Sequence, residues 1–107
     1  MILEEENLSF RHNYKITVKK GQRFVLTLES NRTTGYEWFA IFDTSVISVI
    51  SQKYVPSSLS PTVMGSSGKD IFAFKSLAKG TTTLKMLYKR EWEKKPLKVR
   101  KYLINII

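Results

Sequence analysis

Residues that break bonds are scarce in this chain. Of its 107 residues one is a histidine, His12, and none is a cysteine. A lone histidine at the start of a strand-like stretch is far more often structural than catalytic, and no Ser/His/Asp set assembles around it. The absence of cysteine excludes disulfides, a thiolate metal site and a cysteine nucleophile. Glu91 and Glu93 are the nearest acidic pair, and nothing around them points to paired-carboxylate hydrolysis. No glycine-rich phosphate loop opens a helix, because no helical period is present. The expectation is a protein that binds rather than catalyses, without cofactor or metal.

What the chain does carry is a set of groups suited to contact. The stretch SNRTTGYEWF, Ser30 to Phe39, places two threonines, a glycine and three large aromatics between strand-like segments. Threonine hydroxyls and the neighbouring backbone can hydrogen-bond a partner. Gly35 permits a positive φ and a close approach of main chain. Trp38 begins the next strand and is expected in the core. Two further segments stand out. Pro61 to Gly68 is rich in small polar residues, and Arg90 to Trp92 joins two of the residue types commonest at binding hot spots.

These segments need a scaffold, and the rest of the sequence describes one. Tyr14, Ile16 and Val18 alternate with polar residues, as do Phe24, Leu26 and Leu28, the period of half-buried strands. Lys20-Gly21-Gln22 reads as the turn joining that pair, and the connection at Ser30–Phe39 as hairpin-like. Further strands are expected at Trp38–Phe42, Val46–Val55, Ile71–Phe74, Thr82–Lys89 and Leu97–Ile107. A shift of apolar parity after Val99 predicts a bulge or a change of partner near Arg100. The loop PSSLSPTVMGSSGKD, with two prolines, two glycines and six Ser/Thr, is the longest. About seven to eight strands with turn signals every 8 to 15 residues predict one all-β domain over 1–107, an immunoglobulin-like β-sandwich or a small barrel.

Net charge is +9, unevenly placed: +1 over Met1 to Gly68 and +8 over Lys69 to Ile107. A basic half favours an anionic partner, although lysines on a sheet face also discourage edge-to-edge pairing. No run approaches the roughly 20 apolar residues that span a bilayer, and the start, MILEEENLSF, is unlike a signal peptide. The expected location is cytoplasmic as written, or lysosomal, endosomal or secreted where a leader has been removed. Asn7-Leu8-Ser9 and Asn31-Arg32-Thr33 both fit the glycosylation pattern, and a glycan on Asn31 would obstruct the first loop.

The loops NRTTGY, GSSG and REW, in this order on an all-β chain, resemble the chagasin family of inhibitors of papain-like cysteine proteases. That family is marked by Asn-Pro-Thr-Thr-Gly-Tyr/Phe, Gly-x-Gly-Gly and Arg-Pro-Trp/Phe. The resemblance implies a reversible, non-covalent inhibitor that acts as a monomer and inserts three loops as a wedge into the protease cleft. It implies protease contacts at Asn31, Arg32, Thr33, Thr34, Gly35 and Tyr36 over the catalytic cysteine. Val63, Met64, Gly65, Ser66, Ser67 and Gly68 would lie on the non-primed side, with Met64 as an apolar plug. Arg90, Glu91 and Trp92 would reach the primed side. Three positions depart from the family: Arg32 and Glu91 replace prolines, and Ser67 replaces a glycine. Arg32 removes a built-in restraint from the first loop.

Two other readings compete. Lysines interleaved with Phe72, Phe74, Tyr88 and Tyr102 are the composition of a nucleic-acid-binding β-barrel, if those rings are exposed as stacking platforms. A generic immunoglobulin-like interaction module would leave the three loops as accidents, and would not gather them at one end. The expected partner is the protease, with neither nucleic acid nor membrane.

Overall fold

The computed structural model describes residues 13–56 and 68–107. His12, Val63, Met64, Gly65, Ser66 and Ser67 lie outside the described residues.

Among the described residues seven strands follow in order: β1 (Asn13–Val18), β2 (Arg23–Ser30), β3 (Glu37–Ile41), β4 (Ile47–Pro56), β5 (Gly68–Ser76), β6 (Gly80–Lys89) and β7 (Lys98–Ile106). They form a four-stranded sheet, β1-β7-β6-β3, facing a three-stranded sheet, β2-β5-β4. This is an immunoglobulin-like sandwich rather than a barrel. Alternation explains it directly: along β2, residues 24, 26, 28 and 30 are buried while 23, 25, 27 and 29 are exposed. Each sheet has one dry face, and the two dry faces bury each other.

The core is aromatic. Phe74 is fully buried, with Phe24 and Phe72 stacked on it at 5.3 and 6.0 Å and Phe42 meeting it edge-on. Ile47, Leu84, Met86 and Ile104 are fully buried around it. Each such side chain contributes about 2 kcal/mol of burial. Trp38 is also in this core, its indole Nε1 donating to the Glu29 carbonyl at 2.9 Å.

Two local expectations change. The turn at Lys20-Gly21-Gln22 stands as expected, but the two strands it joins do not pair with each other. β1 pairs in parallel with β7, and β2 pairs with β5, so the turn carries the chain from one sheet to the other. Ser76 secures this crossing, its hydroxyl donating to the Lys19 carbonyl at 2.7 Å and its N–H to the Gln22 carbonyl at 3.0 Å. The Ser30–Phe39 connection is likewise a crossover between sheets, from β2 to β3. Neighbouring segments need not pair when each has an apolar face and the sandwich must be closed.

There is also no bulge at Arg100. The β6–β7 register runs unbroken from Tyr88↔Lys98 to Gly80↔Ile106, and β7 also pairs with β1 over Lys101–Ile106. The parity shift reflects an outer-face row, since Val99 sits opposite Leu87, which sits opposite Phe39. The bulge lies instead in β4, between Val49 and Ser51.

Candidate functional site

Strand registers bring the loop roots to one end of the sandwich. Ser30, the last residue of β2, pairs with Gly68 of β5, which pairs with Pro56 of β4. The first loop therefore leaves the sheet beside both stems of the segment 57–67. In the other sheet Glu37 pairs with Lys89, so the first loop re-enters beside the root of the β6–β7 hairpin loop.

The first loop is a short 3-10 turn, Arg32–Thr34, shaped by its own side chains. Asn31 caps it: its Oδ1 accepts from the Thr33 N–H at 3.1 Å and from the Thr33 hydroxyl. This is the usual N-cap arrangement, with extended backbone at the cap. The Thr34 hydroxyl donates to the Asn31 carbonyl at 2.7 Å. Gly35 ends the turn at φ 83°, with its N–H donating to the Arg32 carbonyl. A side chain at that φ is strained, which is why glycine stands there. Both threonines are exposed. Their hydroxyl protons are engaged inside the loop, so what they present outward is lone pairs, methyl groups and backbone rather than free donors.

Beneath the turn lies a column of rings. Tyr88, buried on β6, accepts the Asn31 N–H on its hydroxyl at 3.0 Å. Tyr36 stacks on Tyr88 at 5.3 Å, and Trp38 packs on it at 4.9 Å. Arg90 lies over Tyr36 at 4.5 Å, and its Nε donates to the Thr34 carbonyl at 3.3 Å. Arg90 thus turns inward to join the first and third loops. Tyr36 is half-buried in the same stack, part of the base of the loop rather than its tip.

The third loop curls around a cation. Lys89 Nζ donates to the Glu93 carbonyl at 2.9 Å and lies 4.7 Å over the Phe39 ring. Glu93 closes a turn onto Arg90, its N–H donating to the Arg90 carbonyl at 3.0 Å. The Glu93 carboxylate accepts from the Arg90 N–H. Glu91 and Trp92 are left at the tip, with Trp92 76% exposed. Burying the indole against its own sheet would have been the ordinary outcome for a residue of this type. An exposed tryptophan on a braced hairpin is an unsatisfied apolar surface.

Gly68 has a role within the sheet itself. It is buried in β5, and a Cβ added there would meet the Tyr54 hydroxyl and the Val55 carbonyl at 2.7 Å or less. It is a glycine because β4 packs against it.

Four residues of this region escape motif reading: Glu37, Tyr54, Asp70 and Tyr88. Arg32 Nη2 donates to Asp70 Oδ1 at 2.6 Å and Nη1 to Glu37 Oε1 at 3.1 Å. The guanidinium also lies 5.3 Å over the Tyr54 ring. The hydrogen bond to Asp70, with the charge of that carboxylate and of Glu37, raises the Arg32 pKa above its ordinary value against the effect of burial. Asp70 carried a visible signal: it has the parity of Phe72 and Phe74, so strand alternation alone points a carboxylate inward. Phe72, Phe74, Tyr88 and Tyr102 are all buried, at 7% exposure or less, so they form no stacking platform for nucleic acid.

Comparison with known proteins agrees with this geometry. Residues 17–106 match the model of the chagasin family of peptidase inhibitors. The chain belongs to the chagasin family. Membership makes it an inhibitor rather than an enzyme. It is 29% identical to Amoebiasin-1 of Entamoeba histolytica over 92 residues, 86% of this chain and 84% of that protein. The crystal structure of the cysteine protease inhibitor EhICP2 from Entamoeba histolytica superposes with a TM-score of 0.71 at 26% identity, covering 90% of this chain and 95% of that one. Leishmania mexicana ICP gives a TM-score of 0.63 at 25% identity, covering 92% and 91%.

Proposed function

We propose that this chagasin-family chain is a reversible, non-covalent inhibitor of papain-like cysteine proteases, acting as a monomeric domain whose three loops enter the active-site cleft. The observation that carries the reading is Trp92, 76% exposed at the tip of a loop whose Arg90 is bonded to Thr34 of the first loop. In this reading the turn Asn31–Gly35 covers the catalytic thiol. Its backbone enters the cleft in a closed turn, a shape unsuited to attack by that thiol. Trp92 anchors the primed side as a large, rigid apolar group. Val63 and Met64 fill the apolar S2 pocket of the enzyme, where a flexible thioether adapts to an irregular wall. The inhibitor offers no cysteine for a disulfide, so blockade rests on complementarity. The first and third loops are held by their own hydrogen bonds, which lowers the ordering cost of association. The cysteine protease inhibitor EhICP2, similar in fold and sequence, supports the choice of target class.

Titration against papain or a cathepsin-L-like enzyme tests this. Slowing by micromolar inhibitor or less, reversed on dilution, is the expected result, and unchanged turnover at that concentration overturns it. Trp92→Ala should weaken inhibition by about 2 kcal/mol, roughly 30-fold, with the melting temperature unchanged, because the indole touches little of its own domain.

A further inference from the structure

We propose that Arg32 is a positioning residue that fixes the first loop to the ends of β4 and β5 beside it, so that the first loop meets a partner in a preset shape. This rests on the inhibitory reading above. The first loop has no covalent restraint at Arg32, yet the residue is held on three sides. One prong of the guanidinium reaches Asp70, which is fully buried, at 2.6 Å. The other reaches Glu37, the first residue of β3, at 3.1 Å. Its flat face lies over Tyr54 at 5.3 Å. Asp70 is the third residue of β5 and Tyr54 the third from the end of β4. These are the two stems of the segment 57–67, so one planar cation grips the start of β3 and both roots of the neighbouring loop.

The chemistry favours a single arrangement. Asp70 stands on the inner face of β5 beside Phe72, where a carboxylate without a cation is strongly unfavourable. Only a cation from the loop reaches it, among the described residues, so the loop is drawn down onto the strand. A rigid fork with a stacking face can engage two carboxylates and a ring together, which an ammonium cannot. The first loop is thereby ordered before any partner arrives.

A double-mutant cycle tests the clamp. Wild type, Asp70→Asn, Arg32→Pro and the double variant are compared for dissociation from papain whose thiol is blocked with a small alkyl group. Amide hydrogen exchange at Thr34 and Gly35 is followed in the free proteins. Asp70→Asn should dissociate roughly tenfold faster and exchange faster at both amides, a coupling of the size seen for paired neighbours. Arg32→Pro with Asp70→Asn should return dissociation to within about threefold of wild type. Proline fits the first position of the turn and replaces the ionic restraint by a covalent one. A merely structural Asp70 would not be rescued by a residue unable to pair with it. An Asp70→Asn protein that dissociates and exchanges like wild type overturns the clamp, as does a double variant no slower to dissociate than Asp70→Asn. If Asp70→Asn does not fold, Tyr54→Leu leaves the carboxylate paired and should still dissociate about threefold faster. An unchanged rate there overturns the proposal. Failure of the wild type to bind papain sinks the inhibitory reading alone, and hydrogen exchange then decides the clamp by itself.

Discussion

Tyr88 shows how much one side chain can organise. Its ring supports Tyr36 and Trp38, and its hydroxyl receives the Asn31 N–H that begins the first loop. Tyr88→Phe keeps the rings and removes the acceptor. The expected cost is about 1 kcal/mol in urea-unfolding free energy, with weaker inhibition as the loop entry loosens. A variant with wild-type stability would show that the hydroxyl is replaced there without loss. Arg90 and Arg32 act at the same scale from opposite sides of the loop. One binds it to the β6–β7 hairpin, the other to the β4–β5 stems. Residues that would be read as outward donors from their letters are in this way internal ties.

At the level of elements, the end of the sandwich is set by how closely β4 and β5 approach. Gly68 lets Tyr54 lie across the strand, and Tyr54 in turn backs Arg32. Gly68→Ala places a methyl against the Val55 carbonyl, a backbone atom that cannot move without displacing β4. The expected destabilisation is about 1–3 kcal/mol by thermal or urea unfolding, with a loss of inhibition as the stems part. Unchanged stability would mean that the edge strand moves away freely. The bulge at Val49/Ser51 and the position of β4 at the sheet edge leave its Val49 and Ile50 partly exposed. The first and third loops differ in their bracing. The first is tied on both sides, while the third is a hairpin closed on Lys89.

For the whole molecule, charge and shape act separately. The net charge of +9 is concentrated in the half that forms β5, β6 and β7. Lys85, Lys89 and Lys101 alternate outward on the four-stranded sheet, opposite the core-facing Met86 and Tyr102. Such a field steers an acidic protease toward the inhibitor without adding much to the bound state. Association rates with an acidic papain-like enzyme should fall by about tenfold or more between low salt and 0.5 M, with dissociation rates little changed, because the Debye length shrinks to a few ångströms. Association that ignores ionic strength would remove this role for the basic half. The stiff aromatic core holds the loop end in one shape at either salt concentration, since its stability rests on burial rather than charge.

The sequence by itself determined the strands, their buried faces and the family. Side-chain alternation is a local property with a period of two, and the TTGY, GSSG and REW strings are local too. It also held the clue to Asp70, through the parity of that position with Phe72 and Phe74. What only the tertiary structure decided was pairing. The turn at Gly21 and the connection at Ser30–Phe39 cross between sheets, because closing two apolar faces on each other outweighs joining neighbours in sequence. The partners of Arg32 lie 5, 22 and 38 residues away, at Glu37, Tyr54 and Asp70. No local pattern encodes such a contact, since it exists only once β3, β4 and β5 have been brought to the same end of the sandwich.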